Sequence, residues 1–322
     1  MGVDRGATNA ERAALVVSDG RRGIENQALG LAEAVARRVP LTIKTLHLPR
    51  AGAAPPPPDD VDLWIGCGQA AVRAVHAHRK ALPRTRFVYV QDPRSDHAAF
   101  DLIVAPRHDR LSGANVFNII GSPNRITPER LAEGEAAFAE RLCALPGPRA
   151  AVLIGGDSKH HRFTDHTCAY LLDAVERIRA QAGSALITPS RRSPAAFRQA
   201  LSTRFGSDPA VWLHDGEGPN PYFAFLSAAD WSCVTEDSTN MLCEAASAGK
   251  PVYRLPVDGT PGKFRRLYAE LDGAGAARPF LGRLDAFDPP GLNETARASE
   301  AALEILHSGD DLYSGPERKT RP

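Results

Sequence analysis

The sequence of 322 residues lacks any apolar run near the ~18 residues that a helix needs to cross a bilayer. That absence excludes a helical membrane protein. The opening stretch, MGVDRGATNAERAA, has no apolar h-region, and its acidic residues suit a mitochondrial transit peptide poorly. A one-sided charge is also missing. The 39 Lys and Arg face 38 Asp and Glu, a net charge of +1, which argues against a general nucleic-acid binder. Cysteine is scarce, with five residues at 67, 143, 168, 233 and 243 and no CxxC. An odd, scattered set of this kind reads as small hydrophobes in a reducing compartment rather than as a disulfide framework. The expected location is the cytoplasm, with peripheral contact at the inner membrane left open. Neither the P-loop pattern nor a GxSxG elbow occurs, so P-loop and serine-hydrolase chemistry have no support.

What is present is 43% hydrophobic and 24% charged, the composition of a folded globular chain. Continuous apolar runs at 13–17, 41–48, 63–65, 87–91 and 102–105 alternate with helical periodicity at 24–38, 69–82 and 128–145. After the breaker Pro146-Gly147-Pro148 the alternation restarts, with strands at 151–154, 185–188, 211–214, 231–234 and 252–255. Strands that are apolar throughout are buried on both faces, which predicts α/β architecture with parallel sheets. The expected organisation is a disordered stretch over 1–12 and a doubly wound domain over 13–146. A second such domain follows over 149–290, facing the first across a cleft. A helix and tail over 291–322 are free to pack back on the first domain.

In open α/β sheets ligands bind beyond the carboxyl ends of the strands. The turns found there are polar and glycine-rich, and three of them carry arginines suited to phosphate. Gly155-Gly156-Asp157-Ser158 is a candidate phosphate loop, its glycines allowing close backbone approach. Ser238 or Thr239 caps a helix whose N-terminus forms an anion site, and Glu244 further along can reach a ribose diol. Gly66-x-Gly68-x-x-Ala71, with Asp92 downstream, outlines a dinucleotide fingerprint and keeps a nicotinamide-dependent dehydrogenase or epimerase as an alternative. His160, His161, His166 and Cys168 match no zinc spacing, so no metal is expected. The segment 263–271 (KFRRLYAEL) reads as a solvated helix face, with a membrane-binding face as the alternative.

Several turns carry a resemblance. They are Ser18-Asp19-Gly20-Arg21 through Gly30, Gln91-Asp92-Pro93-Arg94, Arg125-Ile126-Thr127, Ile154-Gly155-Gly156, Ser190-Arg191-Arg192, Asn220-Pro221-Tyr222-Phe223 and Thr235-Glu236-Asp237-Ser238. In this order they resemble bacterial members of the mitochondrial-fission "elongated mitochondria" family. The resemblance implies a glycosyltransferase-B-like fold of two Rossmann-like domains, the first facing an acceptor and the second holding a nucleotide sugar. The helix from Ser238 to Glu244 is similar to the donor helix of the lipid-linked muramyl-pentapeptide N-acetylglucosaminyltransferase, which implies phosphate at Ser238 and ribose at Glu244.

The expected donor site comprises Gly155, Gly156, Asp157, Ser158, Ser190, Arg191, Arg192, Tyr222, Glu236, Asp237, Ser238, Thr239, Asn240 and Glu244. Glu236 and Asp237 would set two carboxylates beside a diphosphate, an unfavourable pairing unless they bind hydroxyls, a base or a cation. The expected acceptor side comprises Gly20, Arg21, Asn26, Gln27, Gln91 and Arg94, with Asp19 preferred over Asp92 as general base. The expected activity is metal-independent transfer from a nucleotide-diphosphate sugar, with no cofactor, to a saccharide or lipid-linked acceptor of the cell envelope. The alternative from another class is a non-enzymatic scaffold that recruits a protein partner.

Overall fold

The computed structural model describes residues 12–49 and 51–313. The expectations for residues 1–11 and for the tail after 313 lie outside the described residues. The first unit is built from β1 (Arg12–Ser18), α1 (Arg22–Ala36), β2 (Leu41–His47), β3 (Leu63–Cys67), α2 (Gln69–Ala81), β4 (Arg86–Val90), β5 (Leu102–Pro106) and β6 (Val116–Ile119). Its strands are all parallel, in the order β2-β1-β3-β4-β5-β6. β3 and β5 are buried at every position, whereas β2 at the edge is only partly covered. That is why the central strands read as unbroken apolar runs.

The second unit contains α3 (Pro128–Ala137), α4 (Ala139–Cys143), β7 (Arg149–Ile154), α5 (Asp165–Gln181), β8 (Ser184–Pro189), α6 (Ala195–Phe205) and β9 (Val211–Leu213). It continues with α7 (Tyr222–Ala228), β10 (Trp231–Thr235), α8 (Thr239–Ser247), β11 (Val252–Leu255), α9 (Phe264–Gly273) and β12 (Arg278–Pro279). Its sheet is also parallel, in the order β12-β11-β10-β7-β8-β9, the Rossmann arrangement with its topological switch between β7 and β10. The last helix, α10 (Glu294–Tyr313), belongs to the first unit.

Each sheet is covered on both faces. In the first unit, one face carries Val16, Ile65, Val88 and Val104 under Leu31 and Val35 of α1. Ala298 and Ala302 of α10, four residues apart and fully buried, join the same cluster. The opposite face is aromatic, with Trp64 stacked on Phe87 at 5.1 Å. In the second unit the core gathers Val152, Ile154, Leu171, Val175, Ile178, Ile187 and Leu201.

The division between the units falls at Arg125 and Ile126, not at Pro146–Pro148. α3 packs on α7 so closely that a Cβ on Gly134 would lie 2.6 Å from the Cβ of Phe223. The proline-glycine cluster is itself tied down: Ser184 Oγ donates to Pro146 O (2.8 Å) and Gly183 N to Pro148 O (2.7 Å). It is a turn inside the second unit rather than a linker.

Candidate functional site

At the switch point of the second unit the exits of β7 and β10 lock together. Gly155 N donates to Thr235 Oγ1 (2.8 Å), and Gly156 N donates to Asp237 Oδ2 (2.8 Å). Ser193 Oγ donates to Gly155 O. A Cβ on Gly155 would stand 2.0 Å from Asp237 Oδ2, and one on Gly156 would stand 2.2 Å from the carbonyl carbon of Arg192. The two glycines therefore make room for the chain's own turns, which corrects the expectation of a backbone cradle for phosphate. Asp157 and Ser158 are engaged likewise. Asp157 Oδ1 accepts from Phe163 N (2.8 Å), and Ser158 Oγ accepts from the N–H groups of His160 (3.2 Å) and His161 (3.0 Å).

The two arginines after β8 have different roles. Ser190 Oγ accepts from Arg192 N (3.0 Å), closing the turn. Arg192 Nη1 then donates to Asp157 O (3.0 Å), and its Nη2 lies 3.6 Å from Asp237 Oδ2. Arg192 holds the loops together, whereas Arg191 is exposed beside them.

Both carboxylates after β10 are also bound within the protein. Arg254 of β11 donates to Glu236 through Nη1 and grips Asp272 of α9 through Nε (3.1 Å) and Nη2 (2.6 Å). Its guanidinium lies 5.1 Å from the Tyr268 ring centre, and Tyr268 Oη donates to Glu236 O (2.8 Å). Burial pushes the carboxyls of Glu236 and Asp237 above their ordinary values, and these partners pull them back. Glu236 and Asp237 are thus both engaged within the protein, Glu236 by Arg254 and Asp237 by the N–H of Gly156.

What remains at this edge is the start of α8 and the side of it that carries Glu244. Ser238 is buried at the N-cap and its hydroxyl caps no backbone N–H. The first-turn N–H groups of a helix have no partner inside it, and Thr239 opens the first turn of α8. Glu244, half-buried, accepts from Tyr222 Oη of α7 (2.6 Å). Burial pushes the Glu244 carboxyl up to about 7, and the Tyr222 bond only partly offsets that. The Tyr222 phenol is raised as well, first by burial and then by the neighbouring carboxylate.

The first unit has its own switch point, between β1 and β3. Asp19, Arg21, Gln69, Ala70 and Arg73 line a cavity there of about 220 Å³. Asp19 is held by Arg21, whose Nε donates to both carboxylate oxygens (3.0 and 2.8 Å). Asp92 closes a turn by accepting from Arg94 N (2.7 Å) and lies 3.4 Å from His97 Nε2. Gln91 Nε2 donates to Gln27 Oε1 (3.0 Å), joining two expected acceptor-side residues, while Asn26 is half-buried in the next position of α1. Gly20 lies beside the His47 ring.

Three subsidiary features of the sequence have structural explanations. Gly66 has no side chain because the Trp64 ring fills the space, with a Cβ there falling 2.3 Å from two ring carbons. The GxGxxA outline thus has a packing origin. His161 is buried with Nε2 3.2 Å from Tyr268 Oη, and His166 pairs with Asp258 at 3.2 Å. Among the described residues no three His, Cys, Asp or Glu side chains gather as a metal site requires. α9 buries Leu267, Tyr268 and Leu271, so the apolar face of KFRRLYAEL is core and not a membrane surface. No helix among the described residues is long and apolar enough to cross a membrane. Sequence reasoning missed Arg254 and His47.

Two parallel Rossmann-like units, each with its polar residues at the carboxyl edge of its sheet, define the glycosyltransferase-B-like class of fold. A family model described as Mitochondrial fission ELM1 matches residues 22–306, and the chain belongs to that family. It is 29% identical over 262 residues to the Mitochondrial fission protein ELM1 of Arabidopsis thaliana. That match covers 73% of this chain and spans 61% of the plant protein's length. Two solved structures share the fold at low identity. The UDP-GlcNAc 2-epimerase of Methanocaldococcus jannaschii, in complex with UDP-GlcNAc and UDP, matches with a TM-score of 0.58 at 11% identity over 92% of this chain and 99% of its own. That of Neisseria meningitidis, bound to UDP-GlcNAc, matches with a TM-score of 0.55 at 13% identity over 92% and 100%.

Proposed function

We propose that the chain is a glycosyltransferase that binds a nucleotide-diphosphate sugar at the carboxyl edge of its second unit. The observation that carries this reading is the pairing of an open helix start at Ser238 with Glu244, a carboxylate held by Tyr222 further along the same helix. The α8 N-terminus meets the diphosphate, and Glu244 accepts from the ribose hydroxyls. Arg191 supplies the positive charge that offsets charge growing on the leaving diphosphate, with no metal ion required. Because two proteins of the same fold hold UDP-GlcNAc, a UDP-sugar is the first donor to test. The acceptor, a saccharide or lipid-linked hydroxyl, belongs to the first unit at its 220 Å³ cavity.

Calorimetric titration with a panel of nucleoside diphosphates and nicotinamide dinucleotides tests the reading. Saturable binding of a nucleoside diphosphate is expected, weakened about 5- to 30-fold in Glu244→Gln. Dinucleotide binding alone overturns it. A second reading, a scaffold that keeps the fold and recruits a protein, is favoured by one observation: the Gly155 and Gly156 N–H groups are engaged internally. Failure of every nucleotide to bind selects that reading.

A further inference from the structure

Within the second unit, the loop that leaves β7 and the loop that leaves β11 are bound to each other. Arg162 N donates to Asp258 O (2.7 Å), Thr260 N donates to His160 O (2.9 Å), and His161 bridges antiparallel to Gly259. Gly259 permits this approach, since its φ is +146° and a Cβ on it would stand 2.2 Å from His160 O. In an extended pairing successive side chains point to opposite faces. His161 is turned inward and 1% exposed, so His160 and Arg162 take the outer face. The His160 ring lies 5.3 Å from that of Phe264, the first residue of α9, and Lys263 Nζ lies 5.6 Å from the same ring centre. The start of α9 is thereby joined to the β7 loop.

These segments share one sign of charge. Residues 157–163 and 257–266 hold Lys159, Arg162, Lys263, Arg265 and Arg266 against Asp157 and Asp258, in a chain whose 39 Lys and Arg are otherwise balanced by 38 Asp and Glu. Both carboxylates are engaged in holding the loops. Asp157 Oδ1 accepts from Phe163 N (2.8 Å), while Asp258 accepts from Thr164 Oγ1 and lies 3.2 Å from His166 Nδ1. Lys159, Arg162 and Arg265 are exposed, and among the described residues none of the three is in an ion pair. Apolar contact is missing from this surface. Among the described residues Leu281 is the one large apolar side chain left exposed, and it lies in neither segment. Leu267, Tyr268 and Leu271 of α9 are turned into the core.

Such a surface attracts anions and offers nothing to insert. Each Lys or Arg close to a sheet of anionic headgroups strengthens binding about fivefold. A nucleic-acid partner draws on a basic stripe longer than two loops, and the balanced charge of the rest of the chain supplies none. We infer that the paired β7 and β11 loops, with the start of α9, form an electrostatic docking surface for a membrane rich in anionic lipid. The cations meet headgroup phosphates while the apolar side of α9 stays in the core. This docking is independent of the transferase reading.

Co-sedimentation of the full chain with vesicles tests it. Binding is expected to vesicles of phosphatidylcholine mixed with phosphatidylglycerol, not to phosphatidylcholine alone, and weakens as salt rises. Lys159→Gln, Arg162→Gln and Arg265→Gln combined should weaken it on the order of 100-fold at an unchanged melting temperature. Arg198→Gln combined with Arg283→Gln, exposed cations of the same unit outside the surface, should retain it. Equal binding by the triple variant and the parent overturns the assignment, as does equal binding to both kinds of vesicle. Duplex DNA bound as tightly as the mixed vesicles overturns it too, by showing a general polyanion surface. So does displacement from the vesicles by UDP, which would assign these cations to the nucleotide and leave the transferase reading standing.

Discussion

Tyr222, the first residue of α7, donates its phenolic hydrogen to Glu244 Oε2 of α8 across 2.6 Å. This bond fixes the carboxylate at a place where burial has already pushed its pKa up to about 7. A ribose diol needs the ionised form as acceptor. Nucleotide affinity is therefore expected to fall as pH drops from about 8 to about 6, by up to about tenfold per unit below the pKa. Glu244→Gln should bind nucleotide about 1–2 kcal/mol more weakly at high pH and lose that pH dependence. Calorimetry at three pH values reads both effects.

The same group has the opposite sign in the unliganded protein. Its ordinary value is 4.5, so between about 4.5 and about 7 the folded chain holds a proton that the unfolded chain has released. Stability from this group is present below the unfolded value and is lost as pH rises through the folded one. Glu244→Gln should flatten this decline, becoming more stable than the parent above about pH 7 by on the order of 1–3 kcal/mol. Thermal melts without ligand across that range check it. A melting temperature in which parent and variant run parallel would count against the raised pKa.

The neighbouring arginines give a contrast within one turn. Arg191 is exposed, whereas Arg192 bridges Asp157 O and the buried Asp237. Arg191→Ala is expected to weaken nucleoside diphosphate binding by about 1.5–3 kcal/mol with little change in melting temperature. Arg192→Ala should instead lower stability by about 1 kcal/mol through the lost loop contacts. Nucleotide affinity equal to the parent's in Arg191→Ala would move the phosphates away from this turn.

Much of the fold was legible because buried parallel strands are apolar at every position, and the turns between them are short and polar. The start of α8 and Glu244 were legible for the same reason, since helix caps and strand ends leave local signals. The partners were not. Glu236 looked like a ligand because its partner Arg254 lies on the next strand, and Gly155 and Gly156 looked like a phosphate loop because Asp237 lies 81 residues beyond Gly156. The domain boundary failed similarly. Pro146-Gly147-Pro148 has the composition of a linker, but the contact between Gly134 and Phe223 that assigns α3 to the second unit is long-range. His47 was missed because nothing local ties it to Glu25, 22 residues earlier.

Arg254 is the bracket under the donor edge. It is 7% exposed, and its guanidinium neutralises Glu236 and Asp272 together. Arg254→Met fills the same space but leaves two carboxylates without their cation. A loss of about 3–5 kcal/mol is expected, the range for breaking a buried ion pair from one side. Combining it with Glu236→Gln and Asp272→Asn should recover part of that loss, because unpaired charge rather than lost packing causes it. Urea titration of the parent and these two variants separates the two causes.

His78 links the aromatic face of the first unit to the proline-rich loop. Its Nδ1 accepts from Trp64 Nε1 (3.0 Å), and its Nε2 donates to Pro55 O (3.0 Å). This arrangement needs the neutral ring, because a charged imidazole has no lone pair for Trp64. Burial lowers the His78 pKa below its ordinary value of 6.5, and the Pro55 bond only partly offsets that. The unfolded chain therefore binds this proton first as pH falls. Stability from His78 is complete above about pH 6.5 and is lost progressively as pH drops toward the folded value. The parent should lose melting temperature between about pH 7 and about pH 5 more steeply than His78→Gln, whose amide offers the same donor and acceptor pair without titrating. Equal slopes for the two proteins would show that the Trp64–His78–Pro55 chain does not sense pH.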